Sequence, residues 1–91
     1  MTPRIIEAVH VKDFIIRVRF EDGAEGEVDL KDELDGPIFR PLKNPDFFKQ
    51  FNLHPELRTV TWPNGADFAP EFLYDQMIEQ AHATPAVAPR R

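Results

Sequence analysis

The sequence contains no cysteine and no serine. Without cysteine it has no disulfides, no thiolate metal ligands and no thiol chemistry, and without either residue it lacks the usual nucleophiles of covalent catalysis. No apolar run approaches the ~20 residues of a membrane-spanning helix, and the N-terminus lacks the charged-then-apolar order of a signal peptide. These absences predict a cytoplasmic protein that is not an enzyme and uses no cofactor.

Basic residues are also scarce. Lysine and arginine number 11 against 16 aspartates and glutamates, which gives a formal net charge of −5. Nucleic-acid binding needs clustered positive charge to displace counterions from phosphates, whereas the basic residues here are scattered among acids. We therefore expect no direct contact with nucleic acid or with a membrane, and an acidic surface that suits a basic protein partner.

What the sequence does contain is enough for one small core. A chain of 91 residues is a single domain of modest size, and eight phenylalanines, one tryptophan and one tyrosine supply much of its burial. We predict a single domain over residues 1–82. Residues 83–91 are rich in proline and small side chains and predict a disordered tail.

The N-terminal third predicts a three-stranded antiparallel meander over residues 5–11, 14–20 and 24–30. In the first strand, Ile5 is expected to share a face with Val9 and Val11. Lys12 and Asp13 are expected to form the first turn.

The length of the second turn decides the strand register. A two-residue loop would mix apolar and acidic side chains on one face, whereas a three-residue loop with Gly23 in the left-handed conformation keeps the faces apart. We therefore predict the three-residue loop. The pairs that follow are Phe20 with Ala24, Val18 with Gly26, Ile16 with Val28, Arg19 with Glu25 and Arg17 with Glu27.

The middle of the chain predicts loops and short helical turns. The acidic run at residues 29–36 fails the spacing of a calcium loop, because Lys31 and Leu42 stand where ligands are needed, and the three histidines fit no metal-binding spacing. We therefore predict no metal site. Asn44 is typical of a helix cap with Pro45 at the first helical position, and it predicts a helix over residues 45–51.

The C-terminal third predicts a strand over residues 58–62, an Asn64–Gly65 turn and a short return over residues 67–68. Pro70 then begins a helix that reaches about residue 82. Its predicted apolar face comprises Leu73, Tyr74, Met77, Ile78 and Ala81. The fold class is thus α+β: a meander, a short middle helix, a further β-hairpin and one amphipathic C-terminal helix.

Several motifs together resemble a known family. They are Phe-Glu-Asp-Gly at 20–23, Val-Asp-Leu at 28–30, Thr-Val-Thr-Trp-Pro-Asn-Gly-Ala-Asp at 59–67 and Pro-Glu-x-Leu-Tyr at 70–74. The sequence resembles the bacterial domain-of-unknown-function 2442 family. The resemblance implies a small α+β domain without an established enzymatic activity. Some members carry a C-terminal helix-turn-helix domain, and others are found beside a small protein in proposed toxin–antitoxin pairs. This chain ends soon after its last predicted helix, so we expect no fused DNA-binding domain.

Three hypotheses of function follow. The first is a protein-interaction or regulatory module, in its specific form an antitoxin-like partner of a neighbour-encoded protein. The second is a small-ligand or catalytic site near Trp62, Asp67 and Tyr74, and the third is a self-associating structural domain. The candidate interaction residues are Trp62, Pro63, Asn64, Gly65, Asp67, Glu71 and Tyr74. Side chains exposed around Asn64 and Gly65 are the expected contact surface.

Overall fold

The computed structural model describes residues 3–83, and its first unit is an antiparallel sheet of three strands in sequential order. The strands are β1 (Ile5–Lys12), β2 (Ile15–Phe20) and β3 (Glu25–Asp29). The α+β class and the meander predicted from sequence are confirmed. So is the register, since the β2–β3 pairs match those of the three-residue loop: Ile16 with Val28, Arg17 with Glu27, Val18 with Gly26 and Arg19 with Glu25.

Of the two ion pairs on the outer face of the sheet, one is diagonal and one joins directly opposed residues of β1 and β2. Arg17 contacts Glu25 diagonally at 3.4 Å, and Arg19 reaches across to Glu7 of β1 at 3.1 Å. Both pairs are about half exposed, so each contributes little to stability. Because an arginine side chain is long and can lean along the strand, Arg17 reaches the diagonal Glu25 and not the directly opposed Glu27.

The face assignment of β1 was wrong. The pairing register of β1 with β2 shifts between Ile5 and Glu7 and again between His10 and Lys12. A bulge adds one residue and turns the following side chains to the other face. Ile5 is therefore buried while Val9 and Val11 are exposed on the outer face. The first turn also lies one residue later than expected, because Lys12 pairs with Ile15.

The middle of the chain forms short helical turns that contribute Leu42 and Phe48 to the core. They are two 3-10 turns at Lys31–Glu33 and Arg40–Lys43, followed by α1 at Pro45–Phe48. The side chain of Asn44 accepts a hydrogen bond from the Asp46 amide at 2.9 Å, as expected of an N-cap. The helix is three residues shorter than predicted, and its last residue, Phe48, is fully buried.

A second, two-stranded sheet follows, made of β4 (Asn52–Leu53) and β5 (Val60–Thr61). The predicted β5 strand is thus real but shorter, and its ladder partner is the preceding segment. The return expected at residues 67–68 is reduced to a single bridge between Thr61 and Asp67. Trp62 and Phe68, on the two sides of the loop, meet with ring centroids 5.8 Å apart in an edge-to-face arrangement.

The last element, α2 (Pro70–Ala83), packs along β3 on the core side of the sheet. Leu73 and Met77 are buried, as predicted. Ile78 and Ala81 are exposed and do not belong to the buried face. The position next to Ala81 that faces the sheet is instead the polar Gln80, which hydrogen-bonds to β3.

The tail predicted over residues 83–91 lies outside the described residues, apart from Ala83, with which α2 ends. Among the residues described, no helix is both long and apolar enough to cross a bilayer.

Candidate functional site

Trp62 is a core residue. Only 3% of its surface is exposed, and its indole N–H donates to the carbonyl of Phe48 at 2.8 Å. Its ring also lies 5.7 Å from that of Phe48 and 5.8 Å from that of Phe51. A buried indole needs a hydrogen-bond acceptor, and the chain provides one from its own backbone.

The loop after Trp62 is also held by internal contacts. Asn64 donates from its amide nitrogen to the Ile38 carbonyl at 2.9 Å, and its amide oxygen accepts from the Ala66 amide at 3.1 Å. Gly65 has φ +89°, in the left-handed region that favours glycine. Asn64 thus joins the loop to a distant segment, and its side chain is used by the fold.

The same loop design occurs twice. The Gly65 amide donates to the Trp62 carbonyl and the Trp62 amide to the Ala66 carbonyl, both at 2.9 Å. The loop between β2 and β3 repeats these two bonds, with Gly23 at φ +92°, and there an aspartate takes the part of Asn64. Asn64 and Gly65 therefore belong to a three-residue loop that reverses the chain direction, so this motif has a structural role.

Tyr74 of α2 contacts the loop between β2 and β3. Its hydroxyl donates to Asp22 at 2.9 Å, and its ring meets Phe20 edge-to-face at 4.8 Å. The hydrogen bond to Asp22, followed by burial and by the negative charge of that carboxylate, raises the pKa of Tyr74. Tyr74 therefore stays a neutral hydrogen-bond donor well into the alkaline range.

The remaining candidate residues are exposed and do not gather around a cleft. Pro63, Gly65, Asp67 and Glu71 all lie at the surface, and Asp67 joins Thr61 through a backbone bridge. The ring of Trp62 packs against Phe48, Phe51 and Phe68, whereas Tyr74 contacts Phe20 and Asp22. Trp62, Asp67 and Tyr74 thus have separate surroundings.

A different surface, the outward edge of β3, carries backbone groups that no other strand within residues 3–83 pairs with. Phe20 donates to the Ala24 carbonyl at 2.8 Å, and Leu30 donates to the Phe14 carbonyl at 2.9 Å. Hydrogen-bonded pairs alternate along an antiparallel ladder, so the backbone groups of Glu25, Glu27 and Asp29 point away from β2. The opposite edge of the sheet is engaged elsewhere, since Ile5 donates to the Arg58 carbonyl at 3.2 Å.

This edge borders a groove of about 370 Å³ between β3 and α2, which we call the β3 groove. Six of its lining residues are Glu25, Gly26 and Glu27 of β3 with Met77, Gln80 and Ala81 of α2. Gly26 allows the close approach of the helix, because a Cβ atom there would lie 2.9 Å from Cγ of Met77. The helix thus forms one wall of the groove and the strand edge the other.

Hydrogen bonds from α2 reach the residues on either side of Glu25 and Glu27 along the chain. On one side, Tyr74 binds Asp22 in the loop before β3. On the other, the Gln80 side chain accepts from the Asp29 amide at 2.8 Å and donates to the Asp29 carbonyl at 3.1 Å. Of the three outward-pointing residues, Glu25 and Glu27 are therefore the two whose backbone groups are open toward the rest of residues 3–83.

The rim of the groove is acidic, because all three outward positions of β3 carry carboxylates. Glu25 is ion-paired with Arg17 at 3.4 Å and remains about half exposed. Within residues 3–83, no group of three or more potential ligands is placed to hold a metal ion. Sequence reasoning missed the β3 groove, although the predicted register already implied which β3 backbone groups face outward.

Comparison with known proteins gives a family and a fold. The model of the family described as "Protein of unknown function (DUF2442)" matches residues 5–79, while none of the curated proteins matches the chain. A crystal structure named "Putative DNA Binding Protein", from Nitrosomonas europaea ATCC 19718, superposes with a TM-score of 0.79 at 23% identity. The match covers 88% of this chain and 52% of that one, so this chain spans about half the length of that protein.

Proposed function

This chain belongs to the family of unknown function 2442, and we propose that it is a protein-interaction module that receives an extended segment of a partner at the free edge of β3. The open backbone groups of Glu25 and Glu27 carry this proposal. An exposed strand edge beside a groove is the usual geometry of β-strand addition, in which backbone hydrogen bonds supply affinity and the groove selects side chains.

The number of open backbone groups on β3 limits the length of the partner segment that can pair with it. An added strand pairs with the N–H and C=O groups of Glu25 and Glu27, which amounts to four backbone hydrogen bonds. Beyond them, Gln80 already occupies Asp29. The partner therefore contributes a short strand, and pairing over a longer stretch requires Gln80 to be displaced.

In its specific form, the proposal makes the partner a neighbour-encoded protein, with this chain as its antitoxin-like half. Support for that form comes from the family resemblance described above. A partner of this kind is recognised by the same edge, and its identity is read from the capture experiment given below.

A nucleic-acid role is the alternative suggested by the name of the Nitrosomonas europaea structure. The charges of this chain argue against direct binding. Its net charge is −5, and Arg17, Arg19, Lys43 and Lys49 each lie beside a carboxylate. Since phosphate binding depends on clustered positive charge, we propose a protein as the partner.

The test compares the wild-type chain with an edge-blocked variant, Glu27→Pro, in capture from the organism that carries the gene. Proline removes the outward N–H without breaking a bond to β2, which is the position where an edge strand tolerates it. Glu27→Gln is the matched control, because it keeps the backbone donor. We expect both wild type and Glu27→Gln to retain a captured protein that Glu27→Pro loses.

Hydrogen exchange on the unaltered chain gives a second measurement that does not depend on how the proline variant folds. The captured protein is purified and added to the wild-type chain, and we expect the amides of Glu25 and Glu27 to become protected. A partner that binds while both amides exchange as fast as before overturns the proposal.

A further inference from the structure

The charges and shape of the β3 groove also indicate what kind of segment it accepts. We infer that its partner is a short extended segment in which two basic residues flank a small or medium-sized apolar residue. This inference rests on the proposed function, because it assumes that the segment binds as an added strand at β3.

The positions of the basic residues follow from strand geometry. Residues directly opposite each other in a sheet place their side chains on the same face, with Cβ atoms about 4.5–5.5 Å apart. When the segment adds antiparallel to β3, the two partner residues that hydrogen-bond with Glu25 and Glu27 lie directly opposite them and place their side chains beside two carboxylates on the outer face. Opposite charges stabilise such cross-strand pairs and like charges destabilise them.

The middle residue of the segment faces the other way. It lies opposite Gly26, on the side of the sheet where α2 packs, and its side chain enters the β3 groove between the strand and Met77 and Ala81. Gly26 contributes no side chain, and the α2 wall presents the Met77 thioether and the Ala81 methyl group beside the Gln80 amide, which is bonded to Asp29. An apolar side chain of the size of alanine or valine suits this space, whereas a charged one would lose its hydration there.

The same charges disfavour a second copy of this chain as the occupant. Antiparallel pairing of two β3 edges would place Glu25 of one copy opposite Glu27 or Glu25 of the other. Such pairing brings carboxylates together on one face and is destabilising. A basic partner segment instead complements an edge whose outward positions are all acidic.

The test uses three blocked pentapeptides with threonine at both ends and valine in the centre. Their second and fourth residues are both arginine, both glutamine or both glutamate. Each is titrated into the full chain, and binding is followed by the amide shifts and the exchange of Glu25 and Glu27. We expect the arginine peptide to protect these amides and to bind most tightly, and the glutamate peptide to bind most weakly.

A double variant, Glu25→Gln with Glu27→Gln, measures the charge contribution. Two exposed cross-strand pairs correspond to a loss of roughly 2- to 30-fold in affinity for the arginine peptide, with the preference for arginine over glutamine reduced. The matched control is Glu56→Gln with Asp46→Asn. It changes the net charge equally, in residues that do not line the β3 groove, and we expect it to keep the preference.

Different outcomes separate this inference from the proposed function. If the three peptides bind equally well and all protect Glu25 and Glu27, the inference on charge is overturned while strand addition stands. If none protects these amides, the inference is overturned, and strand addition is then judged by the captured partner alone. If the chain dimerises and protects them without peptide, or if deletion of residues 84–91 exposes them, the occupant is a second copy or the chain's own end, and the inference is again overturned.

Discussion

The side chain of Gln80 pairs with the backbone of Asp29 through two hydrogen bonds, one accepted at 2.8 Å and one donated at 3.1 Å. A side-chain amide presents the same donor and acceptor as a peptide group, so Gln80 occupies the place that a neighbouring strand would take. Exposed strand edges invite unwanted pairing. Gln80 therefore protects one end of the β3 edge and leaves the rest open.

We first predict that Gln80→Ala destabilises the chain by about 0.5–2 kcal/mol and speeds exchange of the Asp29 amide, because the two side-chain hydrogen bonds to Asp29 are lost along with the one to Gln76. Thermal unfolding and hydrogen exchange measure the two effects. The control is Glu79→Ala, one position away on the exposed side of α2. Unchanged exchange at Asp29 in Gln80→Ala would show that the amide is protected by something else.

Our second prediction concerns the contact between Gly26 and Met77. A Cβ atom at position 26 would lie 2.9 Å from Cγ and 3.2 Å from Sδ of Met77. We expect Gly26→Ala to cost about 1–3 kcal/mol of unfolding free energy from overpacking. Alanine normally stabilises a protein relative to glycine by lowering the entropy of the unfolded chain, but that gain is smaller than the cost of overpacking.

A double-mutant cycle separates that clash from other effects. Met77→Ala removes both crowded atoms and by itself costs about 2–5 kcal/mol, because it leaves a cavity. The combined variant is expected to lose less than the sum of the two single losses in urea denaturation. Additivity within about 0.5 kcal/mol would contradict a direct steric contact.

The third prediction is that Trp62→Phe lowers the free energy of unfolding by about 2–4 kcal/mol. The change leaves the Phe48 carbonyl without its donor and removes packed volume from the aromatic cluster. Circular dichroism is the measurement, since Trp62 is the sole tryptophan and its fluorescence is lost in the variant. The exposed Glu71→Gln change should stay within about 0.5 kcal/mol of wild type, and an equally small effect of Trp62→Phe would argue against a structural role.

Our fourth prediction follows from the raised pKa of Tyr74. Since Tyr74 is the only tyrosine, ultraviolet absorbance of tyrosinate reports this group alone. We expect its transition above the ordinary pKa of about 10 and expect Asp22→Asn to move it downward. A transition unmoved by Asp22→Asn would show that Asp22 does not hold the hydroxyl.

The raised pKa of Tyr74 also makes the free energy of unfolding depend on pH. The folded state favours the neutral phenol, so the stabilisation by this hydrogen bond is fully present below the pKa of the unfolded chain. It is lost as the pH rises through the higher pKa of the folded chain. Tyr74→Phe should therefore reduce the pH dependence of unfolding in that alkaline window and leave it unchanged near neutrality.

Local signals in the sequence were sufficient for several elements. The alternation of β2 and the position of Gly23 together defined the register, because only one loop length kept both faces consistent. Asn44 and Pro45 began α1 where expected, and Pro70 began α2. In each case the cause lies within a few residues, in a fixed φ, a capping oxygen or a left-handed glycine.

Other features depend on residues far apart in the chain. The bulges of β1 reversed its predicted faces, since an added residue has no local signature in an apolar strand. The helical periodicity placed Ile78 and Ala81 on the buried face of α2. In the structure Gln80 faces the sheet instead, because its side chain pairs with the backbone groups of Asp29 that point away from β2. The same long-range packing creates the β3 groove.

The sequence by itself determined the α+β class, the β2–β3 register, the helix starts and the acidic character of the chain, because these depend on short-range conformational preference and on composition. Only the tertiary structure decided what the rare residues do. Trp62, Asn64 and Tyr74 are engaged with Phe48, Ile38 and Asp22, each at a sequence distance that no local pattern reports. The candidate site therefore lies at the β3 edge and not at the sequence motif. There Gln80 of α2 covers the Asp29 backbone, while the backbone groups of Glu25 and Glu27 face outward.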